Sequence, residues 1–563
     1  MEKKSKVGKR MMLIVMSLLL IALPLFARET AAQLTPQGNL NAKPEGTLHV
    51  AEADYAEEGF IPDLGDGDGE SRAWAQVLEY PMYRNGKTGE LLPGLATGYE
   101  YSKDYRTLII HMRKGIPWQD KEKWGEVTGE DVKYTYERTR LPESTSSLTG
   151  LMQNIPSIEV PDPYTVLVNF KEPAPESWVL MFNSVTAPIV CKKHIETVGV
   201  EEARWKPIGS GPYRLVERKS GDYMKFEAVD KHWRCVPEFK YLYLHTVPEE
   251  STRVAMLKTG KVDMIPVSTL QAVSMENEPG IKVVTVPEGY QISYVFGGMI
   301  IPKDQRYKEG IHRKDPWTDI RVREALNIAI DRKAIIKSIY KGLAGETQTV
   351  FNVKDAGGAR VPGWENLPPI PYDPARAKKL LAEAGYPNGF SLKLASASGW
   401  SPAFEIPKLT EILAAYFKEI GVKVEIQQME EEVLSNLCRE AKDVGMIYPD
   451  KESMRRSYAG RFLDKFIPGS EPAIWLDDDH IAMVYAYEKE VDPAKRAAAL
   501  AAIRNYEYKN WIAIPLVKAP LWWAYRTSVV GDWARSGMDK FPYLEYVRHA
   551  KPLNTWRLFN PYF

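Results

Sequence analysis

The sequence predicts an α/β fold, on three observations. A strand Ser391–Ala395, a helix from about Lys408 to Ile420 stopped by Gly421, and a strand Val422–Gln427 follow one another. That is the strand–helix–strand order of a mixed or parallel sheet packed by helices. Apolar runs that read as strands recur along the rest of the chain between helices with cap signals. The composition is globular, with 44% hydrophobic and 26% charged residues, which excludes collagen, coiled coil and wholesale disorder. At ~100–200 residues per domain, the 563 residues amount to about three structural units.

The elements follow in order. Lys3, Lys4, Lys6, Lys9 and Arg10 precede the apolar run Met11–Phe26, and Thr30-Ala31-Ala32 follows it. This is the layout of a secretory signal peptide, with a cut expected after Ala32. The run of 16 residues falls short of the ~20 that span a bilayer, and no Cys follows it to carry a lipid. Residues 33–46 read as a flexible leader and Thr47–Ala51 as a strand. The segment 63–70, rich in Asp and Gly, reads as a solvated loop. Thr107–Met112 is a strand, and Thr128-Gly129-Glu130-Asp131 is a capping box opening a helix to about Arg140. Thr165–Phe170 is a strand. Tyr213–Glu217 and Met224–Ala228 form a hairpin through Lys219-Ser220-Gly221-Asp222. Glu249–Lys258 is a helix stopped by Gly260, before the strand Val262–Pro266. Asp319 and Asp331 cap successive helices, the first with Val322, Ala325, Leu326 and Ala329 on one face. At Tyr372-Asp373-Pro374, Asp373 is the N-cap, Pro374 takes the first helical position, and Gly385 ends the helix. Asp492-Pro493 opens a late helix, and Ile514–Leu516 begins a strand.

Lys+Arg and Asp+Glu stand at 74 each. Loss of residues 1–32 removes six basic and two acidic residues and leaves a net charge of −4. That balance argues against nucleic acid as partner. Three Cys exclude a disulfide scaffold; Cys191 and Cys235 are one possible pair, with Cys438 free. The eight His are scattered, with no two at metal-ligand spacing, and the acidic loop of Asp63, Asp66, Asp68 and Glu70 fails the calcium-loop pattern. No metal site and no cofactor are expected. Gly209-Ser210-Gly211 is not a nucleophile elbow, and no phosphate-binding loop or HExxH occurs, so no catalytic residue is assigned and the chain is not expected to be an enzyme. The 15 Trp and 30 Tyr are the remaining signal, since such rings favour ligand faces.

Eight segments carry a family resemblance. Gly89–Ala96 is followed by Tyr105–Gly115 and Thr128–Arg138. After these come Ile208–Tyr213, Arg253–Asp263, Asp319–Asp331 (DIRVREALNIAID), Tyr372–Gly385 (YDPARAKKLLAEAG), and the helix end Lys418–Val424. In this order they resemble the substrate-binding proteins of bacterial ABC importers, in the peptide- and nickel-binding class (solute-binding protein family 5), over roughly residues 47–530. On their own, the blocks read as scaffold: Gly94 and Gly211 suit backbone conformations that other residues resist, and Arg321 and Arg323 suit ion pairs.

The resemblance implies a two-lobe, type II periplasmic-binding-protein-like fold with an extra insert domain and a hinge. Residues 1–32 are then the signal peptide, 45–75, 205–300 and 512–563 lobe I, 76–204 the insert, and 301–511 lobe II. The crossings fall near Tyr290–Pro302 and Trp511–Trp523. The implied function is capture of a solute, peptide-like first, in the periplasm, and delivery by a monomer to a permease driven by an ATPase. An oligosaccharide or a metal chelate on the same scaffold, or an exported sensor or enzyme, are the rival readings. The implied cleft residues are Tyr55, Trp74, Tyr294, Phe296, Trp400, Tyr448, Asp450, Trp522 and Trp523. Tyr448-Pro449-Asp450 falls where the family often has Trp-x-Asp, whose acid takes a peptide's α-amino group. Trp522 and Trp523 are neighbours on a strand, so at most one faces the cleft. Arg455 and Arg456 suit a carboxylate but read as solvated surface.

Overall fold

The computed structural model describes residues 39–56, 58–65, 69–84, 91–146, 149–152, 154–175, 188–299, 315–350, 367–398, 400–440, 442–453, 466, 475, 477–531 and 544–550. The signal peptide, Asp66, Asp68, Arg455 and Arg456 lie outside the described residues.

Most local expectations have a visible physical cause. The Thr128 amide donates to Asp131 at 2.9 Å, and the capping box opens the helix Gly129–Arg138. Asp331 accepts from the Ala334 amide and Asp373 from the Arg376 amide. Asp492 accepts from Ala494 and Lys495. Each cap satisfies amides that the first helical turn leaves without an intrahelical partner.

The strands, in chain order, are β1 (Glu45–Glu52), β2 (Met82–Arg84), β3 (Leu91–Pro93), β4 (Ala96–Tyr101), β5 (Thr107–Met112), β6 (Ser157–Asp162), β7 (Thr165–Asn169), β8 (Tyr213–Lys219), β9 (Tyr223–Ala228), β10 (Phe239–Thr246), β11 (Met264–Val267), β12 (Ile281–Phe296), β13 (Ser391–Ser398), β14 (Lys423–Glu430), β15 (Met446–Ser453) and β16 (Ala513–Arg526). Ten of them form one mixed sheet, ordered β14-β13-β15-β12-β16-β11-β1-β10-β9-β8. The long antiparallel pair β12 and β16 lies at its middle. On one side stands a wing of β13, β14 and β15, with β13 parallel to β14 and joined to it by the helix Ile406–Glu419. On the other side β1 pairs in parallel with β10 and β11, and β8–β9 is the expected hairpin. A separate four-stranded sheet, β4-β5-β7-β6, packs the helix Gly129–Arg138 over its own apolar core of Leu108, Ile110, Val132, Tyr136, Val166 and Val168.

The structure corrects three readings and adds detail to a fourth. Gly94 and Gly211 are required for close approach rather than for unusual dihedrals: a Cβ on Gly94 would stand 2.5 Å from the Tyr80 carbonyl, and one on Gly211 2.6 Å from that of Val77. Arg323 is buried, and it donates to the carbonyls of Asn510, Trp317 and Thr318. Asp63 is not a solvated loop acid; it is buried in a two-bond pair with Arg138, at 2.8 and 2.9 Å. Cys191 and Cys235 are not bridged, and with Cys438 all three are buried thiols outside any disulfide.

Candidate functional site

The site begins at the C-terminal end of β1. Alternation along β1 sends Val50 and Glu52 to one face of the sheet, where the helix Ser71–Val77 brings Arg72. The Glu52 carboxylate meets the Arg72 guanidinium at 2.8 Å, with both side chains nearly excluded from water. Arg72 also donates to the Asp54 carbonyl at 3.1 Å. A cavity adjoins this pair, walled by Val50, Glu52, Tyr55, Arg72, Leu244 and Trp523. It encloses about 290 Å³ counted to its mouth, but only about 20 Å³ admits the centre of a water molecule. That is room for about one water, so anything larger enters only if the walls part.

The opposite wing of the sheet closes over this floor. The Ser401 hydroxyl donates to Glu52 at 3.1 Å, and the Lys451 ammonium on β15 donates to the Ser401 carbonyl at 2.7 Å. The same ammonium sits 4.8 Å over the Trp400 ring, a favourable cation–π geometry. A second contact lies four residues on. Glu405 accepts from the Thr269 amide and from the Tyr290 hydroxyl, each at 3.0 Å. Arg253, fully buried, lies 4.8 Å over Phe404 and donates to the carbonyls of Val247 and Pro248.

The electrostatics are those of a dry seam. Burial pushes the Glu52 carboxyl above its ordinary range against the pull of Arg72, Arg253 and Ser401. Burial does the same to Glu405, against the Thr269 amide and the Tyr290 hydroxyl. The Tyr55 hydroxyl is driven well up, first by burial and then by Glu52. Among the described residues, the Tyr55 hydroxyl, the Trp400 indole nitrogen, the Ser396 hydroxyl, and Nε and Nη2 of Arg253 are buried without a hydrogen-bond partner. Such atoms are costly unless something meets them.

The structure sorts the sequence candidates. Tyr55 and Trp523 line the cavity together. Trp400 stands beside Ser401, the residue that bonds the cavity wall. Trp522 is on the other face of β16, donating to the Thr269 hydroxyl at 3.2 Å. Trp74 is buried with its indole on the Gly59 carbonyl at 2.6 Å. Tyr294 is buried against Thr410 at 2.8 Å, and Phe296 against Trp317; none of these three is among the cavity walls. Tyr448 and Asp450 are buried on β15 opposite Val295 and Ser293, on the strand face opposite that of Lys451. Sequence reasoning missed Glu52, Arg72, Arg253, Ser401, Glu405 and Lys451. Only Arg253 carried a signal, as the head of one of the family blocks.

Among the described residues no group of three or more metal-binding side chains comes together, and no helix is long and apolar enough to cross a membrane.

Residues 90–450 match the middle region of the bacterial extracellular solute-binding proteins, family 5. A glutathione-binding protein of Salmonella paratyphi A is 30% identical over 362 residues, covering 64% of this chain and 65% of that one, so the match spans just under two thirds of the relative. Among solved structures, a dipeptide-binding protein of Pseudoalteromonas in complex with Met-Leu superposes with a TM-score of 0.77 at 18% identity, covering 90% of this chain and all of that one. A periplasmic binding protein of Helicobacter pylori in complex with the peptide STSA gives 0.76 at 19%, covering 90% and 99%. The mixed α/β architecture is therefore the type II periplasmic-binding-protein fold.

Proposed function

The chain belongs to family 5 of the bacterial extracellular solute-binding proteins, and from that premise we propose that it captures a short peptide-like solute between two lobes and hands it to an ABC importer. The observation that carries the reading is the seam itself: Glu52, Ser401 and Lys451 join two wings of the sheet over a floor of Tyr55 and Trp523. A pocket lined by aromatic faces with a few fixed charges suits a ligand with both apolar and zwitterionic parts. The named ligands of the relatives, glutathione and short peptides, support that class.

The domain division follows the same reading. Lobe I comprises 45–75, 205–300 and 512–563, the insert 76–204, and lobe II 301–511, with β12 and β16 as the crossings. Opening and closing is hinge motion about those two strands. Tyr55, Trp400, Trp523, Glu52, Arg72 and Lys451 contact the ligand, whereas Asp450, on the β15 face opposite Lys451, backs the site. Trp74, Tyr294, Phe296, Tyr448 and Trp522 back these groups from the packed interior. The protein works as a periplasmic monomer released from its signal peptide, partnered by a permease and its ATPase, and carries out no reaction of its own.

Calorimetric titration tests this with glutathione, a dipeptide and an oligosaccharide as separate ligands. Micromolar or tighter binding is expected for a peptide. Binding confined to the sugar overturns the reading.

A further inference from the structure

On the sheet face opposite the cavity, β1 and β10 bring two histidines together. His49 pairs with Tyr243 and Ala51 with His245 in the parallel register, so the two imidazoles are diagonal neighbours on one face. His49 Nδ1 and His245 Nε2 stand 2.9 Å apart in a hydrogen bond that either ring can donate. Their rings lie nearly parallel, at 20° with centroids 5.2 Å apart. Tyr243 fixes both, stacked on His49 at 4.9 Å and on His245 at 5.7 Å. Both residues are half-buried, reachable from solvent yet held by packing.

We propose that His49 and His245 form a two-imidazole binding site for a divalent transition-metal ion, taking Cu²⁺ ahead of Ni²⁺ and Zn²⁺. Two metal–nitrogen bonds of ~2.0–2.1 Å at adjacent coordination positions place the nitrogens about 2.9–3.3 Å apart, and the observed separation lies at the square-planar end of that span. Imidazole suits these metals, and the general order of affinity puts Cu²⁺ first. The metal takes the place of the proton shared between these two nitrogens, and each neutral ring then keeps its proton on its other nitrogen. The nearby carboxylates are engaged elsewhere. Asp263 accepts from the His49 amide and pairs with Arg526, and Asp222 pairs with Lys219. The protein thus offers two nitrogens and leaves the remaining positions to water. The site is separate from the cavity and does not rest on the transport reading.

The test is titration of the full chain with Cu²⁺, Ni²⁺, Zn²⁺ and Mg²⁺ as simple salts, with electron paramagnetic resonance on the Cu²⁺ sample. One Cu²⁺ per chain with a two-nitrogen hyperfine pattern is expected, together with no Mg²⁺ binding. His49→Gln and His245→Gln should each weaken Cu²⁺ at least tenfold, and His111→Gln should not. Equal affinity in the His49→Gln/His245→Gln double variant, or a one-nitrogen pattern in the unaltered chain, overturns the proposal. The nitrogen count is read on the unaltered protein, so it stands even if a variant fails to fold.

Discussion

Ser401 donates its hydroxyl to the carboxylate of Glu52 at 3.1 Å, although 349 positions separate the two in sequence. The bond joins the wing that holds β13–β15 to the wing that holds β1, so it exists only when the two are together. A neutral hydrogen bond contributes ~1 kcal/mol, and somewhat more to a charged acceptor. Ser401→Ala should therefore weaken ligand binding about fivefold or more while leaving the melting temperature nearly unchanged. Titration calorimetry with glutathione or a dipeptide reads the first, thermal unfolding the second. Unchanged affinity would show that this contact does not report closure.

Trp522 and Trp523 give a paired test, because β16 sends them to opposite faces. Trp523 is a cavity wall, whereas Trp522 bonds Thr269 and packs among Val262, Ile265 and Val267. Trp523→Phe should reduce affinity for the peptide and diminish the tryptophan fluorescence change on binding. Trp522→Phe should leave affinity as it is. Equal effects of the two substitutions would remove Trp523 from the site.

These two residues also show what the sequence reveals and where it stops. Caps such as Asp373 and Asp492, the Lys219–Asp222 turn and the 391–427 strand–helix–strand unit are local, so neighbouring residues suffice to read them. The adjacency of Trp522 and Trp523 revealed that they part, but not which one meets the cavity, because that depends on β11 lying beside β16 and β1 beside β11. Glu52, Arg72, Ser401 and Lys451 gave no local signal at all. Each is a common charged or small polar residue whose default reading is solvated surface, and their meeting is a property of the sheet order alone. Gly211 was noticed for the wrong reason: its dihedrals are ordinary, and what it needs is room beside a distant carbonyl.

The same crowding makes Gly209 a sharper test. A Cβ there would lie 1.7 Å from the Val77 carbonyl oxygen, at the end of the helix that carries Arg72. Backbone, not a movable side chain, stands in the way. Gly209→Ala should cost at least about 3 kcal/mol, the upper end for overpacking, read as a lowered denaturant midpoint. A near-neutral effect would mean that the helix can shift, and with it Arg72.

Arg234 anchors the segment 544–550 in the interior. It bonds Glu79 at 2.9 Å and Glu545 at 3.0 Å, and all three are buried. Burial alone would raise the Glu79 carboxyl, but Arg234 and His232 outweigh it and hold it at about 2. Arg234→Met strands two carboxylates, so a loss of ~3–5 kcal/mol is expected, measured by urea unfolding at neutral pH. A loss below ~1 kcal/mol would show that the network is replaceable.

His245 predicts the pH response of the same half of the sheet. Burial first, then the neighbouring His49, lower it from 6.5 to about 4, with Asp222 opposing. In the unfolded chain the imidazole returns to about 6.5. Between those values the unfolded state binds more protons than the folded one, so stability falls as pH drops. The stabilisation is complete above about 6.5, declines through the window, and levels off below about 4. Asp263 acts on His49 in the opposite sense, which limits the slope. His245→Gln should flatten the dependence of unfolding free energy on pH from 6.5 to 4, measured by denaturant titration at several pH values. An unaltered slope in that variant would mean that His245 takes up its proton in the folded protein as readily as in the unfolded chain.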